Sequence, residues 1–244
     1  MAGTLRPMSL RKIGPRLLIA VLGVALALGI WEYGKRNPAT VPWGPLNLAD
    51  PVGRFTSFKL DKLREDFPGC RALLDSAGQR YQVLPPIDGG FYCGYRDGVR
   101  LGPGGGAPFS PAATTSCTVA VALFLWQKQV IDPAAEEHLG ARVTRIDSFG
   151  SYNCRGIRGG REGRWSEHAT ANAIDIAGFR LSDGRRITIA GDWNRDDARG
   201  RFLHAVRDGA CRIFSTTLSP DYNDLHRDHL HLDRGRRGGW TYCR

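Results

Sequence analysis

The run His229-Leu230-His231-Leu232-Asp233 alternates polar and apolar residues without a break. Successive side chains of an extended strand point to opposite faces, so both histidines and Asp233 share one face and both leucines the other. The Cα atoms of His229 and His231 then lie roughly 6.5–7 Å apart, near enough for one ring to ligate a metal ion while its neighbour reaches water beside it. A second segment offers matching chemistry. Ser166-Glu167-His168 leads through Ala169-Thr170-Ala171-Asn172 into the apolar stretch Ala173-Ile174-Asp175-Ile176-Ala177. A carboxylate among Ala and Ile is costly to bury unless a cation accompanies it. One of the many arginines would serve, and so would a metal ion. Catalytic zinc takes three protein ligands from His, Asp, Glu and Cys and keeps a fourth position open; His168, Asp175 and His231 meet that count.

These residues need a sheet to hold them. At 244 residues the chain has room for one well-buried domain and an extension, and 31 Gly with 14 Pro imply short elements joined by many turns. The expected class is α+β: a small antiparallel sheet carrying the metal site, with helices packed on it. Strands are predicted over 142–148, 173–177, 186–190 and 229–233. A helical stretch is predicted over 55–78 with a break at Pro68, and a helix over 197–211. Ser110-Pro111 reads as a cap with proline at the first helical position, opening an apolar helix to Gln129; Asp132-Pro133 reads as the start of another that Gly140 ends.

The formal charge of +10 raises the question of nucleic acid. Residues 1–36 hold six Lys/Arg against one acid, so about half of the excess sits at the N-terminus. The other arginines, among them Arg158, Arg161, Arg164, Arg185, Arg186, Arg236 and Arg237, are scattered through loops without a basic run interleaved with aromatics, which argues against a nucleic-acid partner. Arg6, Arg11, Lys12 and Arg16 instead precede a charge-free run from Leu17 to Trp31, the pattern of a signal-anchor or a signal peptide. The expected organisation is a transmembrane segment over 1–36, a proline-rich spacer over 37–54 and a domain over 55–244. The domain then lies in the periplasm, either held at the inner membrane or released after signal cleavage. Six cysteines, Cys70, Cys93, Cys117, Cys154, Cys211 and Cys243, form no C-x-x-C pair, and their even number in an exported chain predicts up to three disulfides of open connectivity.

The segment SEHATANAID resembles the S-x-H-x-x-G-x-A-x-D motif of the LAS metallopeptidases (lysostaphin, D-alanyl-D-alanine peptidases, sonic hedgehog), and HLHLD resembles their closing H-x-H. The stretch from about Pro68 to the end, with GSYNCR, LSPDYN and RDHLHLD, resembles the bacterial extensin-like C-terminal domain family more closely still. The resemblance implies zinc on His168, Asp175 and His231, with Ser166 as the small polar residue beside the substrate. It implies a general base at His229, or at Asp228 as in the carboxypeptidase branch; strand alternation puts Asp228 on the leucine face unless the chain bends there, which favours His229. Arg155 resembles the arginine that binds substrate and oxyanion in D-alanyl-D-alanine peptidases. Ala171 departs from the motif's Gly and is expected to narrow the space beside the metal. His138, His204 and His226 are read as non-catalytic, with His226 nearest the site. The implied activity is a zinc peptidase cutting stem peptides or cross-links of cell-wall peptidoglycan; the alternative is a non-catalytic, membrane-tethered wall-binding or scaffolding protein with a structural zinc.

Overall fold

The computed structural model describes residues 10–157, 164–238 and 240–244; Arg6, Arg158 and Arg161 lie outside the described residues. Helix α1 (Leu10–Arg36) contains a 23-residue stretch, Gly14–Arg36, long and apolar enough to cross a membrane. From Leu17 to Ile30 its leucines and isoleucines are exposed, as befits an anchor or a signal peptide.

The proline-rich stretch is not a free spacer. Buried Lys59 donates from Nζ to the carbonyls of Pro38 and Pro45. Gln129 donates to the carbonyls of Leu48 and Asp50 and accepts from the Val52 N–H. Leu46, Leu48 and Val52 pack on the core. Four prolines lower the entropy lost in ordering such a segment, so a few buried hydrogen bonds hold it along the domain.

Helix α2 (Thr56–Lys62) passes through a 3₁₀ turn to α3 (Phe67–Ser76). The break falls at Asp66, whose side chain caps α3, and Pro68 sits in the first turn where its missing N–H is harmless. Short strands β1 (Tyr81–Val83), β2 (Ile87–Asp88), β3 (Gly94–Tyr95) and β4 (Gly98–Leu101) follow, then β5 (Phe109–Ser110) and β6 (Thr114–Ser116). The apolar helix α4 (Cys117–Trp126) starts six residues later than Ser110-Pro111 implied. Pro111 lies between two strands, and Ser116 is the cap, accepting from the Val119 N–H. A π-helical turn (Gln127–Ile131) carries α4 straight into α5 (Asp132–Leu139), so Asp132-Pro133 continues a helix rather than opening one. Gly140 ends it in the left-handed conformation.

The site-bearing sheet comprises β5, β7 (Val143–Gly150), β8 (Ala173–Leu181), β9 (Arg186–Thr188), β10 (Thr216–Leu218), β11 (Leu230–Asp233) and β12 (Tyr242–Cys243), in the order β12-β10-β11-β8-β7-β5 with β9 also on β8. The sequence pattern implied a small antiparallel sheet. The sheet has seven strands and is mixed, because β12 and β5 join its edges in parallel. Helices α6 (Ile189–Asp192) and α7 (Ala198–Ala210) separate β9 from β10.

The core lies between this sheet and α4, α5 and α7. Trp126 is fully buried against Phe179 and Phe214 and donates its ring N–H to the Val206 carbonyl at 2.9 Å. Burial of each such large side chain contributes about 1.5–3 kcal/mol. Three disulfides staple the domain: Cys70 with Cys117, Cys93 with Cys154 and Cys211 with Cys243. Arg234, also fully buried, reaches from the end of β11 to Ser57 and Asp61 on α2 and to the Ile213 carbonyl.

Candidate metal centre

Strands β8 and β11 pair antiparallel in a register that sets His231 directly opposite Asp175. Leu230, Leu232, Ile174 and Ile176 fill the core face, which forces Asp175, His231 and Asp233 onto the other. His168 arrives from a 3₁₀ turn (Glu167–Thr170) capped by Ser166, whose Oγ accepts from the His168 N–H. The turn ends at Ala171 with φ of 56°, and the chain enters β8 at Ala173, five residues after His168.

His168 Nε2 lies 3.2 Å from Asp175 Oδ1 and 3.2 Å from His231 Nδ1, and His231 Nδ1 lies 3.0 Å from Asp175 Oδ1. The far nitrogen of each ring is already committed. His168 Nδ1–H donates to the Ser151 carbonyl at 2.6 Å, and His231 Nε2–H donates to Asp233 Oδ2 at 3.2 Å. A ring that is neutral turns a lone pair toward the Asp175 carboxylate, and three acceptors in mutual contact hold together only around a cation: a metal ion or, without one, a proton on an imidazole that then donates to Asp175. The site electrostatics say the same. Burial opposes the charge on Asp175, but hydrogen bonds from His168 and His231 outweigh it and hold the carboxyl well below its ordinary range. Burial likewise opposes protonation of His231, yet hydrogen bonds to Asp175 and Asp233 push its pKa up to about 9. A ligand histidine anchored through its second nitrogen by a carbonyl or carboxylate is the usual support around protein zinc. The donor set of two imidazoles and one carboxylate fits that ion, with room for a fourth ligand from the cleft.

His229 precedes β11 rather than lying in it, yet its ring stays on the cluster's side, with Nε2 3.6 Å from Asp175 Oδ1. Its Nδ1–H donates to Asp228 Oδ1 at 2.8 Å, which leaves Nε2 as the proton acceptor. Strand alternation implied that Asp228 lies on the leucine face. Regular strand begins only at Leu230, so Asp228 turns toward His229 instead, and the two rival bases form one pair.

These groups lie in an open cleft of about 1450 Å³ lined by Arg155, Ser166, Glu167, His226 and others besides the cluster. Arg155 faces it with no hydrogen bond or ion pair to its guanidinium among the described residues. Burial, then the charge of Asp233, raises the pKa of Glu167. His226 lies beside the site, as its sequence position implied, 5.2 Å from the His229 ring, and burial followed by repulsion from His229 and His231 lowers its pKa to about 4. His138 and His204 are not among the lining residues. Nor is Ala171, whose methyl is buried with Leu84 and Tyr95 and so does not narrow the cleft beside the cluster.

The family model described as Extensin-like protein C-terminus matches residues 68–244, which contain every residue of the cluster and its supports. The chain belongs to the extensin-like C-terminus family. Helix α2, which holds the buried Arg234, lies ahead of the matched region. No curated protein and no solved structure matches the chain. The extensin-like domain thus gives its own account of the site. Sequence reasoning missed the Ser151 carbonyl and the anchoring role of Asp233, and only the placement of Asp233 on the histidine face signalled the latter.

Proposed function

We propose that this extensin-like protein is a zinc peptidase that hydrolyses stem-peptide bonds or peptide cross-links of peptidoglycan, with its domain on the periplasmic side of the inner membrane. The observation that carries the reading is the convergence of His168 Nε2, Asp175 Oδ1 and His231 Nδ1 in an open cleft beside a carboxylate-anchored histidine. The likeness of SEHATANAID and HLHLD to the LAS metallopeptidase motifs supports the same chemistry.

Zinc bound by His168, Asp175 and His231 supplies Lewis acidity that polarises a carbonyl and acidifies water. His229 Nε2 takes a proton from the attacking water, and Asp228 steadies the imidazolium that results. The water oxygen joins the acyl carbon, the C–N bond breaks, and His229 returns the proton to the leaving amine, which yields one new carboxyl and one new amino group. Arg155 faces the developing oxyanion or a substrate carboxylate. A purely structural zinc is closed by four protein ligands, whereas here three donors meet an open cleft, which favours turnover over scaffolding.

Purified sacculi digested with zinc-loaded protein and analysed by mass spectrometry test the proposal. New peptide termini are expected, with His229→Ala slower by about 10²–10⁴-fold, the usual contribution of a general base. No cleavage at any stem-peptide bond removes the substrate assignment.

A further inference from the structure

The cleft is larger than the reaction needs. Its volume of about 1450 Å³ exceeds the roughly 300–1,000 Å³ that encloses a drug-sized ligand, and the cluster lies between two walls of similar make. The first wall comes from the connection between β7 and β8. Trp165 pairs back to Gly156 and stacks on Tyr92 at 5.2 Å with the rings 12° from parallel, and Arg155 and Arg164 flank it. The disulfide between Cys93 and Cys154 pins the Tyr92 loop to this connection.

The second wall comes from the other side of the ligand strands, around β10 and β12. Tyr222 and Tyr242 meet edge to face at 6.4 Å, and Arg237 lies over the Tyr242 ring at 5.5 Å while donating to Thr216 Oγ1 at 3.1 Å. The disulfide between Cys211 and Cys243 and the hydrogen bonds from Ser219 to the Arg244 carbonyl fix this edge. Sheet order places β8 and β11, which carry Asp175 and His231, between the walls, and His168 joins them from the turn just before β8.

Fixed aromatic faces offer rigid contact area at small entropic cost, and nearby guanidinium groups bind carboxylates. Such platforms on both sides of a reaction centre suit a chain that continues past it in both directions. A site for releasing a single terminal residue needs one wall and one closed end. Building on the peptidase reading, we infer that the cleft binds a carboxylate-bearing glycopeptide polymer across its full width, Trp165 holding one side and Tyr222 the other. The bond cut is then internal, and each product keeps a polymer arm.

Binding to two fragments separates this from its alternatives. The probes are a cross-linked disaccharide-peptide dimer and a single disaccharide-peptide stem, each offered to the zinc-loaded full chain in detergent with His229→Ala to prevent turnover. The dimer is expected to bind at least about tenfold tighter, and Trp165→Ala or Tyr222→Ala to remove about that advantage, the scale of one aromatic anchor in an interface. Equal affinity for the two fragments overturns the two-walled cleft and leaves the peptidase reading standing; this comparison uses intact walls and does not depend on the variants folding. Binding of neither fragment overturns both. Variants that weaken dimer and single stem alike also overturn it, because the walls would then not divide the ligand between them.

Discussion

Strands β8 and β11 present two faces of opposite material. Ile174, Ile176, Leu230 and Leu232 are each 0% exposed in the core, while Asp175, His231 and Asp233, interleaved with them, face the cleft. The inner face asks for apolar volume, which several residues could fill with modest loss. The outer face asks for particular atoms, because the nitrogen that each cluster histidine turns to Asp175 is defined by what its other nitrogen bonds. A register slip of one residue would exchange the faces, so fold and site stand or fall together, although single substitutions separate them.

The largest expected effect lies on the inner face. Leu232→Ala should destabilise the domain by about 2–5 kcal/mol, read from the urea midpoint, while the molecules that remain folded bind zinc as before. A variant that loses zinc at unchanged stability would break the division of labour. On the outer face, Asp233→Asn should weaken zinc binding about 10–100-fold in competition with a chelator, since it loosens the His231 anchor. Its metal-free stability should fall as well, by about 1–3 kcal/mol, because Asp233 is buried and accepts from both His231 and the Gly235 N–H. Smallest of all, Ala171→Gly relieves a left-handed alanine worth about 1–2 kcal/mol but gives up a buried methyl worth about 0.8 kcal/mol and adds backbone freedom. Melting curves should show a net change within about 0.5 kcal/mol, with zinc affinity unmoved. A gain in zinc affinity would mean that the methyl does reach the metal.

Alternation made much of this readable beforehand. His229 to Asp233 and Ala173 to Ala177 carry period-two patterns, so the shared face of the histidines and the oddity of Asp175 follow from spacing alone. What escaped depends on contacts between distant segments. The Ser151 carbonyl is a backbone atom and leaves no trace in residue type. Asp228 was misplaced because a strand's end is not marked, and the helix start at Cys117 because Ser110-Pro111 imitates a cap while serving an edge strand. The proline-rich stretch looked like a spacer since its partners, Lys59 and Gln129, are ordinary surface residue types that happen to be buried or half-buried here.

Metal content of the purified full chain beside an Asp175→Ala variant, each equilibrated with zinc and freed of excess, tests the central claim most directly. Asp175 touches both His168 and His231, so its loss should dissolve the cluster. About one zinc per chain is expected in the parent and about a tenth or less in the variant, with both folded. Equal zinc in the two would contradict the site.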